Sequence, residues 1–311
     1  MHLAMTNAPT LTARAWAEMG LLASIWGAIF LFTAISLREV APLTTVAIRV
    51  GVGAVGLWVI LALRGQLRAF RPDLWAAFAV MGALNNIIPF SLITWGQQFI
   101  TSGLASILNA ATGVVGVVVA AVLLADERMT AKKLIGALVA FAGVIITIGP
   151  AALFDLNLGS LAQWAILGAA LSYSLAGVWA RKRLAGVPPL VSATGMVTAS
   201  AIILWPIAVM IEGAPSLDYS PTVWASLAYQ GVMATTCAYL LYYSVLARAG
   251  SGNLMMVTLL LPPIALILGA LVLDEALQAG DVVGFVVIAL GLVIVDGRLW
   301  QSLNRSRRAA D

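Results

Sequence analysis

Apolar residues fill ten stretches of helical length along the chain, and short clusters of charged and turn-forming residues separate these stretches. Each stretch is about long enough to cross roughly 30 Å of hydrocarbon as an α-helix. The pattern therefore predicts an all-α polytopic membrane protein with ten transmembrane helices. The predicted spans lie near 16–37, 44–63, 74–94, 102–125, 132–149, 159–180, 190–211, 221–246, 252–273 and 278–297.

The Lys and Arg residues fall on alternate connections between these spans. Arg14 in the N-terminal tail, the even-numbered loops and the C-terminal tail together carry fifteen of the seventeen basic residues. Of the other two, Arg38 lies in a loop on the opposite side and Arg49 lies inside the second span. Because short basic connections stay in the cytoplasm, the distribution predicts an even number of spans with both termini cytoplasmic.

Composition excludes most other classes of protein. The chain is 62% hydrophobic and 10% charged, whereas a soluble domain has roughly 25% charged residues. The basic residues form short clusters rather than one basic face, so we expect no nucleic-acid partner. Cys237 and His2 are single residues of their kind, which excludes an intramolecular disulfide, His-pair metal sites and His-based catalytic dyads. We predict no enzyme activity, no metal and no cofactor.

The chain also resembles itself at a fixed offset. Asp126 and Glu127 recur as Asp274 and Glu275, Gly136 as Gly284, and Gly143 as Gly291, all 148 residues apart; Pro42 recurs as Pro189 at 147. The pattern predicts a first five-helix repeat over 1–150 and a second over 151–311, which ends in a short basic tail. Because five is odd, the second repeat enters the membrane inverted, an arrangement typical of secondary transporters. Repeats occur in some channels as well.

These features resemble the drug/metabolite transporter superfamily, specifically its ten-helix EamA family. The resemblance covers nearly the whole chain. Its most specific parts are the run Leu-Ala-Asp-Glu-Arg-Met-Thr at 124–130, the two glycine pairs, Trp26 with Gly27, and the run Leu-Asn-Ala-Ala-Thr at 108–112. The family usually continues that last run with proline, whereas this chain has Gly113. By general similarity the chain looks most like the YddG-type exporters of aromatic and other apolar amino acids.

Polar and proline residues deep in the spans are the candidates for the transport path. Asn85 and Asn86 either line a site, where amides can bond both ends of a zwitterion, or join helices. Arg49 either binds a substrate carboxylate or extends its side chain to the outer surface. Asn109 lies in the run that resembles the family, and the carbonyls around Thr258 are freed by the prolines that follow. We predict hinges or gates at Pro89, Gly113, Pro262 and Pro263.

Aromatic residues near the membrane centre are candidates for apolar walls. Trp26 and Tyr173 occupy nearly corresponding places in the two repeats, and Tyr239 is a further candidate. Trp95, Tyr242 and Tyr243 are interpreted as interfacial anchors, where aromatic residues normally collect. The prediction is a central cavity lined by helices 1, 3, 4, 6, 8 and 9.

Two other features are interpreted as structural. The spaced glycines of helices 5 and 10 predict close helix packing. The acidic pairs at 126–127 and 274–275 are expected to cap helices 5 and 10, to pair with nearby basic residues, or to act in gating. No carboxylate occupies a clear midplane position, so a buried proton carrier is not predicted.

Together these observations predict a secondary transporter of the bacterial inner membrane that exports aromatic and other apolar amino acids by alternating access. Its partners would be a small-molecule substrate and the lipid bilayer, and a monomer would suffice. The alternatives are a carrier of another metabolite or drug class and a passive channel, which saturation and counterflow would separate. A membrane protein without transport activity is the least favoured alternative.

Overall fold

The computed structural model describes residues 13–124, 129–148 and 158–296, and every regular element in them is helical. Two single-turn 3₁₀ helices, Leu67–Ala69 and Pro72–Leu74, precede α3. The longer helices are α1 (Ala13–Ser36), α2 (Pro42–Leu63), α3 (Trp75–Gly96), α4 (Ser102–Leu123), α5 (Ala131–Ile148), α6 (Leu158–Arg183), α7 (Pro189–Glu212), α8 (Pro221–Ala228), α9 (Ala238–Val272) and α10 (Ala279–Asp296).

Length and apolarity identify six of these helices as long enough to cross a membrane, within the part of the chain that the structure describes. The six are α1, α2, α3, α4, α6 from Gly159 onward, and α7. Apolar side chains such as Leu63, Val122 and Met210 remain on the outside of the fold. This is the surface that a bilayer would cover, and the predicted all-α membrane class is confirmed.

The helical backbone from Pro221 to Val272 contains two limbs and a reversal between them. α8 continues through a π-helical segment, Tyr229–Cys237, into α9 without a break. Trp26 donates a hydrogen bond to the carbonyl of Ala234, while Gly27 contacts Ile264. A straight helix would hold Ala234 and Ile264 about 45 Å apart. The chain therefore folds back into a first limb (221–245) and a second limb (257–272), which correspond to the predicted spans at 221–246 and 252–273.

The first helix of each half packs against the third and fourth helices of the other half. α1 lies along both limbs of α9, and α6 lies against α3 and α4. The second helices of the two halves, α2 and α7, pack on each other. The fifth helices, α5 and α10, also pack on each other. The two halves are thus interleaved rather than separate, and the space between them is where a central site can form.

Glycines allow α5 and α10 to touch backbone to backbone. A Cβ on Gly136 would lie 2.7 Å from the carbonyl oxygen of Gly291, and one on Gly291 would lie 2.6 Å from that of Gly136. Gly143 and Gly284 form the same reciprocal contact at 2.8 and 2.9 Å. The predicted role of these glycines in close helix packing is confirmed.

Carboxylates from distant parts of the chain cap three helices. Glu212 at the end of α7 accepts bonds from the amides of Leu43 and Thr44 and from the Thr44 hydroxyl, at 2.7–2.9 Å. Glu39 accepts the amide hydrogen of Ser220 before α8. Hydrogen bonds from the hydroxyl and the amide of Ser220 lower the pKa of the Glu39 carboxyl. A carboxylate at a helix N-terminus satisfies free amide groups and complements the helix dipole.

Glu275 provides the third cap and corrects one prediction. Instead of capping α10, its carboxylate accepts bonds from Ser102 N (2.7 Å), Ser102 Oγ (2.8 Å) and Gly103 N (3.2 Å) at the start of α4. Asp274 adopts a left-handed conformation with φ 55°, which ends α9 and turns the chain there. The related pair Asp126 and Glu127 lies outside the described residues.

We predict that Gly143→Ala separates α5 from α10. The new Cβ would lie 2.6 Å from the amide nitrogen of Ile288 and 2.8 Å from a carbonyl, and backbone cannot move aside as a side chain can. A loss of about 1–3 kcal/mol is expected, measured as a lower melting temperature of the purified protein. Gly177→Ala is the matched control, since nothing lies within 4 Å of its Cβ. Equal melting temperatures for the two variants would contradict the packing argument.

We further predict that Glu212→Gln destabilises the fold, because an amide accepts at one atom only and cannot complete the three bonds at the start of α2. The expected loss is about 1–2 kcal/mol, from thermal unfolding in detergent. Asp73→Asn serves as the comparison, since the Arg71–Asp73 ion pair is exposed and contributes little. A stability for Glu212→Gln equal to that of Asp73→Asn would show that the cap is dispensable.

Candidate functional site

A cavity of about 300 Å³ lies between the two halves of the fold. The cavity is lined by residues of α1, α2, α3, α4, α6 and the two limbs 221–245 and 257–272. These are the six predicted helices together with α2, which contributes Arg49. Seven of the eight predicted binding residues lie on its wall: Trp26, Arg49, Asn85, Asn109, Tyr173, Tyr239 and Thr258. Asn86, the eighth, is absent from this lining and fully buried.

Arg49 extends into the cavity rather than to the outer surface. Its guanidinium carbon lies 3.6 Å from the centre of the Phe90 ring, and its Nε donates to Thr235 Oγ1 at 3.2 Å. No carboxylate of residues 13–124, 129–148 or 158–296 forms an ion pair with it. The ring face and the hydroxyl compensate part of the cost of removing the cation from water, and the charge itself is left without a counter-ion.

The π-helical segment Tyr229–Cys237 positions the partner of Arg49. Thr235 and Thr236 donate their hydroxyl hydrogens to the carbonyls five residues earlier, at 2.8 and 3.2 Å. A Cβ on Gly53 would lie 2.5 Å from Thr235 Cγ2, so a glycine in α2 is what allows the two segments to touch. π-segments are frequent at functional sites, and the sequence analysis did not predict this one.

A second π-helical segment, Ala83–Ile87, carries the two asparagines of α3. Pro89 follows it and has no amide hydrogen to donate to the preceding turn. The hydroxyl of Ser172 in α6 instead donates to the carbonyl of Leu84 at 2.7 Å. The proline therefore explains the local change in helix geometry, and α6 satisfies the carbonyl left free.

Asn85 and Asn86 have different surroundings although they are neighbours. Asn85 lines the cavity and donates to the Tyr239 hydroxyl at 3.0 Å. Asn86 lies behind the wall, where it donates to Ser200 Oγ at 3.0 Å and accepts from the Tyr239 hydroxyl at 3.1 Å. Each of the two interpretations therefore fits one residue. Asn86 links α3 to α7 and α9, whereas Asn85 faces the cavity.

Aromatic rings form a further part of the wall. Trp26 and Tyr242 pack at 5.8 Å between ring centres, and Phe90 and Tyr173 pack edge to face at 6.4 Å. Tyr242 was expected at the interface, and it lies on the cavity wall instead because the first limb runs along α1. Rings of this kind offer apolar area with fixed geometry.

Two further amides belong to the polar part of the cavity. The side-chain oxygens of Gln97 and Asn109 are buried and have no hydrogen-bond partner in the part of the chain that the structure describes. Gln97 was not predicted from the sequence, because it follows the last turn of α3 and reads as a loop residue. Among the described residues, no group of three His, Cys, Asp or Glu side chains could hold a metal ion.

The residues predicted as hinges occupy different settings. α4 is interrupted at Ala111, two residues before Gly113, and Gly113 itself packs against Leu292 of α10. Pro89 and Pro262 are buried, and Pro263 is partly buried. The helical assignment of α9 continues through both of its prolines. Their part in motion stays a prediction.

Comparison with known families gives one match that covers both halves. The model of the EamA-like transporter family matches residues 15–149 and 160–295, which are five helices each. One solved crystal structure has a TM-score of 0.65 with this chain at 18% identity, covering 91% of this chain and 96% of its own. At that identity the likeness concerns the fold alone.

Similar curated proteins are named as transporters. An uncharacterized transporter of Bacillus subtilis, YoaV, is 23% identical over 86% of this chain and 91% of its own length. A probable terminal-alkyne amino-acid exporter of Streptantibioticus cattleyicolor is 27% identical over 84% and 85%. A probable amino-acid metabolite efflux pump of Escherichia coli is 25% identical over 90% and 94%.

We predict that alanine at the two asparagines has opposite effects. Asn86→Ala removes the bonds that Asn86 makes with Ser200 and Tyr239 in a buried place. We expect a loss of about 1–3 kcal/mol of stability, seen as a lower folded yield and a lower melting temperature. Asn85→Ala removes a group that faces open space, so stability stays near that of the parent while transport slows severalfold. Size-exclusion profiles, thermal unfolding and uptake into proteoliposomes separate the two. Loss of stability in Asn85→Ala with normal transport would contradict the division.

Proposed function

Because the chain belongs to the EamA-like transporter family, we propose that it exports aromatic and other apolar amino acids, and related small metabolites, across the bacterial inner membrane. The observation that carries the substrate class is Arg49, which has no carboxylate partner among the described residues and lies in a cavity with aromatic rings on its wall. A substrate carboxylate would supply the missing charge, and a charge-assisted bond to a guanidinium is strong.

The walls favour an apolar substrate body. Besides Arg49, the described residues of the lining have aromatic, aliphatic, amide and hydroxyl side chains, and none of them is Asp, Glu or Lys. A volume of about 300 Å³ is at the lower limit for small-molecule sites, which suits a single amino acid. The relatives named as exporters of amino acids support the same class.

Transport would proceed by alternating access between the two halves. In the proposed orientation both termini are cytoplasmic, and the capped helix N-termini of α2, α4 and α8 lie on the outer side. Opening toward that side would require α4 to leave Glu275. The interruption at Ala111 and the prolines of α9 would let these helices bend without moving their other ends.

Two alternatives fit the cavity less well. A nucleotide sugar would need several cations for its phosphates, and this cavity has one basic residue. A cationic drug would need a carboxylate in the cavity, and no described residue of the cavity lining has one. A passive channel would conduct without saturation, so it is separated from a carrier by kinetics.

Counterflow in proteoliposomes tests the proposal. Vesicles that contain only this protein are loaded with unlabelled phenylalanine or leucine, and uptake of the labelled amino acid is followed with and without a pH gradient. We expect saturable counterflow for both, weak counterflow for lysine, and no dependence on the gradient. Absence of counterflow for all three, from protein shown to be folded, would refute amino-acid transport.

Arg49→Gln should reduce phenylalanine counterflow at least tenfold, because the carboxylate then meets a neutral amide. Arg49→Lys should retain part of the activity, since it keeps the charge and loses the planar contact with Phe90. Arg38→Gln is the matched control, an exposed arginine in the turn between α1 and α2. Counterflow that survives unchanged in Arg49→Gln would remove Arg49 from the site.

A further inference from the structure

The cavity contains two unpaired acceptor atoms in addition to its cation. Oε1 of Gln97 and Oδ1 of Asn109 are buried without a hydrogen-bond partner, and both residues line the space that Arg49 faces. A buried acceptor without a donor is costly, and such groups are rare in folded proteins. Two residues that line one cavity therefore carry acceptor atoms to which a ligand could donate hydrogen bonds.

The orientation of the Gln97 amide follows from its neighbours. Its Nε2 donates to the main-chain carbonyl of Phe30 at 2.9 Å. A carbonyl can only accept, so the amino group must face Phe30 and the oxygen must face away from it. Gln97 is only 8% exposed, which leaves its oxygen no access to bulk solvent. The side chain is thus held as an acceptor.

Asn109 lies next to the interruption of α4. It precedes Ala111, in the last turn of the segment Ser102–Ala110, and the helix resumes at Thr112. Carbonyl groups at the end of a helical segment carry a partial negative charge.

We propose that Gln97 and Asn109 bind the α-ammonium group of the substrate and determine that a free amine is required. This assignment rests on the proposed function, in which Arg49 binds the carboxylate. An ammonium group has three donors and no acceptor, which matches two neutral oxygens and the ring faces of Trp26 and Tyr242. The cavity then has an Arg49 end for the anion and an amide-oxygen end for the cation.

The test compares two ligands that differ only at the amine. Binding of L-phenylalanine and of 3-phenylpropionate, which keeps the ring and carboxylate and lacks the ammonium, is measured by titration calorimetry on the purified protein. We expect the parent protein to bind phenylalanine at least tenfold more tightly. In Asn109→Leu and in Gln97→Leu phenylalanine should weaken at least tenfold, while 3-phenylpropionate changes less than twofold.

Gln163→Leu is the matched control. Gln163 also has a buried, unpaired side-chain oxygen, but it lines a separate pocket of about 490 Å³. Gln163→Leu should leave the affinities for phenylalanine and for 3-phenylpropionate unchanged. Gln97→Leu also loses the hydrogen bond from Gln97 Nε2 to the carbonyl of Phe30. If that variant does not fold, Asn109→Leu still tests the proposal.

The possible results separate the two proposals. Equal affinity of the parent for both ligands, or an equal loss of both in Asn109→Leu, would overturn the role of the amide oxygens and leave carboxylate binding at Arg49 intact. Failure of the parent to bind either ligand would overturn the proposed function and the ammonium site together.

Discussion

A hydrocarbon environment requires each backbone amide and carbonyl to be satisfied within the protein, and the rest of this structure depends on that requirement. The described chain is accordingly helical almost throughout. It departs from regular α-helix at Ala83–Ile87, at Ala111 and at Tyr229–Cys237. All three places border one cavity, where side chains such as Ser172 and Thr235 replace the lost backbone bonds. Within the helices that line the cavity, irregular backbone thus lies where a ligand or water can share its polar groups.

The electrostatics of the cavity follow from the same lack of water. The guanidinium of Arg49 lies against Phe90 and donates to Thr235, and the amide oxygens of Gln97 and Asn109 are unpaired within the described part of the chain. Each of these groups would be costly in a site that stays empty. In the proposed function, a zwitterion would satisfy these polar groups and an apolar side chain would pack against the surrounding rings.

Two kinds of contact hold the halves in register, and they differ in strength and place. The α5 and α10 backbones touch at two reciprocal glycine pairs, which leaves little room for relative movement. The carboxylate caps at α2, α4 and α8 are a few hydrogen bonds each, at helix ends that share the predicted outer side. A rigid seam beside separable caps is an arrangement in which the other helices can move around a fixed pair.

The sequence by itself determined the all-α class, the helix count and seven residues of the cavity wall, while the orientation and the inverted repeat stay predictions. Span length, loop charge and buried polar residues each reflect the bilayer directly, so they can be read without a partner helix. Tertiary structure decided the rest. Gln97 became a buried acceptor only because α3 ends beside Phe30, Asn86 became a link because Ser200 lies opposite, and Glu275 caps α4 rather than α10. These roles are contacts between segments far apart in the chain, and periodicity within one helix carries no information about them.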